Sequence, residues 1–309
     1  MKKIILGILM GVMLLTTGCS NKEKMPIAEP DNYLYQIKNN KGNTLYMLGT
    51  VHMGSDKVLL DGNLEKVYKK VNTVCFEVLL DDIDSYKTEM EKTLTIHPLT
   101  EYKDNEDFKK IWAVLKDKYK SISDQLRPYI ATYIQAVALL DMYKELGLDA
   151  NYSIDNMLYY QAKEDGKKLE QTEDIMLQYN TLAKISGTST MMILASLTDR
   201  AMNEEGIKKS YLNYVDGKFD FKDYDTENIT IENIPKEYRV TNIKKELEDY
   251  KKLLISSRND KMYETAKDYV NQNNVLMVVG AGHVLGEDGL LEQFKKDGYT
   301  VEKVSDQNT

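Results

Sequence analysis

The 309-residue chain holds two cysteines and three histidines, and its bases fall short of its acids, 41 Lys and Arg against 49 Asp and Glu. Each scarcity removes a class of protein. One cysteine, Cys19, sits at the foot of an N-terminal apolar segment, so Cys75 stands alone and no disulfide framework can staple the fold. Cys75 lies inside the run Val74-Cys-Phe-Glu-Val-Leu-Leu and reads as a buried, unreactive thiol. A formal net charge of −8, with no basic stripe interleaved with aromatics, argues against a nucleic-acid partner. Also missing are a Gly-x-Ser-x-Gly elbow, a Gly-x-x-x-x-Gly-Lys phosphate loop and a His-Glu-x-x-His helix. Serine hydrolases, P-loop nucleotidases and ordinary zincins are disfavoured accordingly.

The longest apolar stretch, Ile4 to Leu15, is too short for a settled transmembrane helix. With Lys2 and Lys3 before it and Thr16-Thr17-Gly18-Cys19 after it, the segment resembles a bacterial lipoprotein signal. It departs from the commonest pattern in carrying Thr16 where leucine is usual. The expectation is a signal peptide over 1–18, lipidation of Cys19, a tether over 19–31 and a single domain over 32–305. That domain would be lipid-anchored on the extracytoplasmic face of the cell membrane. Losing Lys2 and Lys3 takes the net charge to −10.

What is present is organised around Asn274-Val-Leu-Met-Val-Val-Gly-Ala-Gly-His283. Val275 to Val279 is an unbroken apolar run, the mark of a strand covered on both faces, and it ends at Gly-Ala-Gly. A helix over Gly289 to Lys296 and a strand over Val301 to Val304 complete a strand-loop-helix-strand unit. The same grammar occurs in Thr44-Leu-Tyr-Met-Leu-Gly-Thr-Val-His52, fed by a hairpin around Asn39 to Asn43. Two of the three histidines thus follow an apolar run in the frame Gly-x-x-His. Between these units, Thr73 to Leu80 reads as a strand with Glu77 in its middle, and residues 85–206 as a large helical segment. The latter includes helices over Ser153 to Asp165, Thr172 to Ile185 and Thr188 to Glu205. The expected fold is α/β: a mixed central sheet of two halves flanked by helices, with the helical segment between the halves.

Strand ends in such sheets bring distant residues to one edge. His52, Glu77 and His283, with Glu170 as a further carboxylate, are therefore candidates for a catalytic divalent-metal site with a position left for water. The alternative is that each glycine only makes a turn and each histidine caps a helix or bonds a loop. His97, in Ile-His-Pro-Leu, reads as a loop residue. Arg258 either pairs with a ligand carboxylate, clamps substrate, or forms an ordinary salt bridge. Gly280-Ala-Gly-His-Val-Leu-Gly286 also looks like a dinucleotide loop, but no further βα units follow it, so no nucleotide cofactor is expected.

Leu48-Gly-Thr-Val-His52, Cys75-Phe-Glu77, Leu169-Glu-Gln-Thr-Glu173, Ser257-Arg-Asn259 and Val279-Gly-Ala-Gly-His283, in this order, resemble the TraB/PrgY/GumN family, related to the Tiki membrane-anchored metalloproteases. The likeness runs from about Tyr33 to Val304. It implies a mixed α/β fold with both Gly-x-x-His motifs and the strand glutamate at one site, His52, Glu77 and His283 as metal ligands, and Arg258 as a site residue. Glu170 matches more weakly, because Gln171 replaces the usual residue beside it. The likeness further implies peptide or protein cleavage dependent on a divalent metal, with manganese or cobalt favoured and zinc as the other option. Some members are linked instead to inhibition of peptide pheromones, so a non-catalytic protein that sequesters a peptide is the competing expectation.

Overall fold

The computed structural model describes residues 25–58, 60–79, 81, 83–185, 188–220, 231, 234–239 and 241–306. The expected signal segment, Cys19 and most of the acidic loop before Pro235 lie outside them. The chain opens with a hairpin of β1 (Leu34–Lys38) and β2 (Thr44–Thr50), turned at Gly42, whose φ of 84° suits a residue without Cβ. Helix α1 (Gly62–Lys70) and strand β3 (Thr73–Phe76) follow. Then come α2 (Ile83–Leu94), α3 (Glu106–Lys118), α4 (Ala131–Glu145) and α5 (Ile154–Glu164), a short strand β4 (Lys168–Gln171), and α6 (Ile175–Ala183), α7 (Thr188–Ser196) and α8 (Arg200–Val215). The last part holds α9 (Ile243–Lys251), a π-helical turn Lys252–Ser256, α10 (Ser257–Gln272), β5 (Val275–Gly280), α11 (Ala281–Val284), α12 (Leu290–Lys296) and β6 (Thr300–Lys303).

The six strands form one mixed sheet in the order β4-β3-β5-β2-β1-β6. β4, β3, β5 and β2 run parallel, and β1 is antiparallel to both β2 and β6. The two halves expected from the sequence interleave: β5, from the C-terminal part, lies between β3 and β2, so the two Gly-x-x-His strands are direct neighbours.

Every residue of β2 and β5 is buried, because both faces of the sheet are covered. On one face Leu276 and Val278 join Tyr46, Leu48, Val74 and Phe76 against the helical segment. On the other, Val275, Met277 and Val279 join Leu45, Met47 and Cys75 against Met262, Ala266 and Val270 of α10 and Leu290 and Phe294 of α12. Such double burial explains why these strands read as unbroken apolar runs and not as alternating ones. At about 1.5–3 kcal/mol for each buried aliphatic or aromatic side chain, it fixes the strands and whatever follows their ends. Cys75 is fully buried, and burial pushes its thiol up to about 12, which fits an inert role.

Three expectations change. The strand expected over Thr73 to Leu80 stops at Phe76, so Glu77 stands at its exit and not in its middle. The helix expected over Thr188 to Glu205 is two helices, because the Thr198 hydroxyl bonds back to the Ala195 carbonyl and Asp199 caps α8 by accepting from Met202 N. Of the stretch expected as tether, residues from Met25 onward lie against the domain: Asp31 accepts from the N–H groups of Asn63 and Leu64 at the start of α1, and Pro26 O accepts from Ser55 and Tyr211.

Candidate functional site

The parallel strands end in register. Phe76 pairs with Val278, and Thr50 with Gly280, so the chain leaves β3, β2 and β5 at one edge of the sheet. The residues that follow are Glu77, His52 and His283. Their meeting point is the space over Gly280, where an added Cβ would lie 3.2 Å from Glu77 Oε1, 3.4 Å from His52 Nε2 and 3.7 Å from His283 Cδ2. Close approach of β2 to α11 requires the other motif glycine too: a Cβ on Gly49 would meet Ala281 Cα at 3.3 Å.

Each imidazole is held from behind. His52 Nδ1 lies 3.1 Å from Asp155 Oδ2, and its Nε2 is 3.9 Å from Glu77 Oε1. His283 Nδ1 lies 2.6 Å from Asn259 Oδ1. The difference in partner separates their charge states. Desolvation pulls His52 down, but the charge and hydrogen bond of Asp155, and then Glu77, outweigh it and raise the ring to about 9. Half of the His52 side chain, 53%, remains open to solvent, which screens this attraction. His283 is buried and faces the Arg258 cation, and both effects lower it to about 3, so it is neutral at ordinary pH.

Glu77 is neutralised by Arg258. The guanidinium donates from Nη2 to Glu77 Oε2 at 2.7 Å and to Glu173 Oε2 at 2.6 Å, from Nε to both Glu173 oxygens, and from Nη1 to the Leu254 carbonyl. Glu77 Oε1 accepts from Gly280 N–H at 2.8 Å. Burial alone would raise the Glu77 carboxyl, but Arg258 first, then the protonated His52 and the Gly280 N–H, hold it well below the usual carboxylate range. The π-helical turn just before α10 carries Leu254, the carbonyl that receives Nη1. Such turns recur at functional positions because they re-aim the residues around them. Gln178 completes the network with bonds to Glu77 and Glu173.

Two cavities meet at this edge, one of about 60 Å³ and one of about 250 Å³, and they share Thr50, His52, Glu77 and Gln178. Phe76, Val78 and Tyr159 line the smaller; Tyr143, Leu182, Leu254 and Arg258 line the larger. As the side chains lie, no three His, Cys, Asp or Glu residues among those described stand in a metal-ligating arrangement. The donors nevertheless fit a cation: His52 Nε2 and His283 Cδ2, the ring carbon bonded to Nε2, border the space over Gly280, and each ring is bonded through Nδ1.

Of the residues expected here, the structure brings together His52, Glu77, His283 and Arg258. It does not bring Glu170, which pairs with Cys75 across β3 and bonds Lys168 at 2.5 Å. The carboxylate that arrives instead is Glu173, just past the end of β4, its side chain wholly buried. Asp155 and Gln178 also belong to the site without having been singled out, and Asn259, named only within the motif Ser257-Arg-Asn259 and given no role, joins them. Asp155 and Gln178 carry no local signal, being polar residues in the first or second turn of a helix, where such residues are common. His97, which stands outside this set, is a half-exposed loop residue as expected.

Replacing Arg258 by Met is expected to destabilise the protein by about 3–5 kcal/mol at pH 7, because two buried carboxylates lose their cation. Without the guanidinium, burial raises the Glu77 carboxyl, so the variant takes up a proton and sheds the unpaired charge as pH falls from 7. Wild-type Glu77, held low, keeps most of its stabilisation until pH falls below its unfolded value and through the folded one. The deficit of the variant should therefore shrink when urea unfolding is repeated in the acid range. A deficit unchanged between pH 7 and pH 4 would mean that Arg258 acts by packing and not by charge.

No curated protein matches the sequence. The family model for TraB/PrgY/gumN matches residues 33–303, from the residue before β1 to the last residue of β6. This chain belongs to the TraB/PrgY/gumN family.

Proposed function

We propose that the protein is a lipid-anchored, extracytoplasmic hydrolase that depends on a divalent cation and cleaves peptides or proteins. The observation that carries this reading is the convergence of His52, Glu77 and His283 around Gly280 at the junction of two cavities. In this reading the two Nε2 atoms and the Glu77 carboxylate hold the cation, manganese or cobalt before zinc. Bound there, a divalent cation supplies Lewis acidity and an activated water.

Charge supports the same reading. Within the hydrogen-bonded set, Glu77, Glu173 and Asp155 bring three negative charges against the single positive charge of Arg258. Once His52 gives up its proton to the incoming cation, both imidazoles are neutral and two negative charges remain, the complement of a dication. Arg258 acts through Glu77, since its N–H groups are directed to Glu77, Glu173 and the Leu254 carbonyl. The cavities on either side of His52 would receive an extended chain, with apolar side chains toward Phe76 and Tyr159 on one side and toward Leu182 and Leu254 on the other. Glu170 has no part in this scheme. The anchor is the lipid on Cys19; no helix among the described residues is long and apolar enough to cross a membrane.

One observation favours the competing reading, a surface protein that sequesters a peptide without cleaving it: both Glu77 oxygens already carry hydrogen bonds, from Gly280 and Arg258. Incubation of the manganese- or cobalt-loaded protein with a peptide library, read by mass spectrometry, separates the two. Cleavage that disappears in His283→Ala supports hydrolysis; peptide binding without cleavage supports sequestration.

Cation binding itself makes a sharper prediction. His52→Ala and His283→Ala should each lose most of the affinity, and His97→Ala should keep it. Because His52 takes up a proton below about 9 and His283 only below about 3, each cation bound between those values should displace about one proton. Calorimetry of cobalt(II) binding in buffers of different ionisation heat measures that number. Affinity should rise with pH until His52 has lost its proton, at or below about 9 given its solvent exposure, and then level. Full occupancy in both histidine variants would contradict the site.

A further inference from the structure

We propose that Asn259 is a positioning residue that fixes His283 as its Nδ1–H tautomer and so leaves the lone pair on Nε2, next to the ring carbon that borders the space over Gly280. Asn259 is 1% exposed and follows Arg258 on α10. A side-chain amide has one end that only donates and one that only accepts, and at most positions which end faces a histidine is ambiguous. Here it is not. Asn259 Nδ2 lies 2.8 Å from the backbone carbonyl of Asp288, an obligate acceptor. Turning the amide over would set two acceptor oxygens against each other in a buried position, at a cost of about 1–3 kcal/mol for the lost bond. The amide is therefore oriented from its far end. Its Oδ1 is what faces His283 Nδ1 at 2.6 Å, and since Oδ1 cannot donate, the ring nitrogen must carry the hydrogen.

The relay is anchored beyond the amide as well. The Asp288 carbonyl accepts a second bond, from Gln293 Nε2 at 3.2 Å, and the loop before it is closed by Gly289 N–H to the Gly286 carbonyl at 3.0 Å. His283 is 4% exposed, so water does not offer the competing partner that would let the ring exchange tautomers freely. With the hydrogen on Nδ1, the neutral ring has its lone pair on Nε2. The atom next to Nε2, Cδ2, is the one that lies 3.7 Å from the position of a Gly280 Cβ. A neutral acceptor also suits this place, since Glu77, Glu173 and Asp155 already outnumber the cations beside them, Arg258 and the protonated His52. At His52, which is open to solvent, the same Nδ1 contact is made by a carboxylate.

The consequence for cation binding rests on the function proposed above; the tautomer does not, and it is measured without any metal. Full-length protein labelled with 15N-histidine contains only three imidazoles, and His283→Ala assigns one of them. In the metal-free wild type, a multiple-bond 1H–15N correlation should show His283 with a protonated, pyrrole-type Nδ1 and an unprotonated, pyridine-type Nε2. The wild-type spectrum decides without depending on whether any variant folds. Asn259→Leu, similar in size, should lose the pure Nδ1–H form, and Asn259→Asp, which keeps an oxygen at that position, should retain it. With cobalt(II) alone as probe, Asn259→Leu should bind about ten- to a hundredfold more weakly than wild type. An Nε2–H ring in the wild type, or an unchanged Nδ1–H ring in Asn259→Leu, would overturn the proposal. Absence of cobalt binding in a wild type that shows the Nδ1–H ring would overturn the cation reading and uphold the role of Asn259.

Discussion

A carboxylate at the exit of a strand covered on both faces has to be neutralised, and the site depends on how that is done for Glu77. Left unpaired, a buried charge of this kind costs several kcal/mol. Arg258 and the Gly280 N–H meet the need from two directions, one from helix α10 and one from the neighbouring strand β5. Because Arg258 also holds Glu173, the same contacts tie together α10, the end of β4 and the end of β3. The ion-pair network therefore couples the packing of the last helix to the geometry of the sheet edge. It also leaves the edge with more negative than positive charge, which is a poor arrangement for an empty core and a suitable one for a cation.

The two imidazoles meet this edge in different electrical states. His52 sits half in solvent with Asp155 behind it and Glu77 in front, so protonation is favoured. His283 sits in the interior with a neutral amide behind it and a guanidinium nearby, so protonation is disfavoured. An equal pair would either repel when both were charged or leave the carboxylates uncompensated when neither was. On the proposed reading, the asymmetry lets one ring carry a proton that a cation would replace while the other keeps its lone pair available.

Much of this was legible in the chain itself. The apolar runs ending at Gly49 and at Gly280 were readable because strands buried on both faces admit no polar alternation, and a histidine just beyond such a run has to lie at the sheet edge. Glu77 stood out as an acid inside an apolar stretch, although the strand stops one residue before it. What could not be read was the order of the strands. Neighbouring β2 and β5 are separated by more than two hundred residues, and nothing local in either says that Thr50 pairs with Gly280. Glu170 attracted notice for its place on a short strand, but side chains alternate across a sheet, and its partner Cys75 belongs to the opposite core layer. Glu173, past the end of that strand, is free of the alternation. Asp155 and Asn259 lie on helices, where a polar residue has many ordinary explanations, and only the fold shows what each one touches.

The central claim is that the in-register ends of β2 and β5 create one cation position shared by His52 and His283. Its most direct test is an anomalous-difference map from crystals grown with manganese and recorded on both sides of the manganese edge. The account predicts a single strong peak within bonding distance of Nε2 of both histidines and beside the Glu77 carboxylate, over Gly280. Strong peaks confined to other parts of the molecule, with none over Gly280, would contradict it.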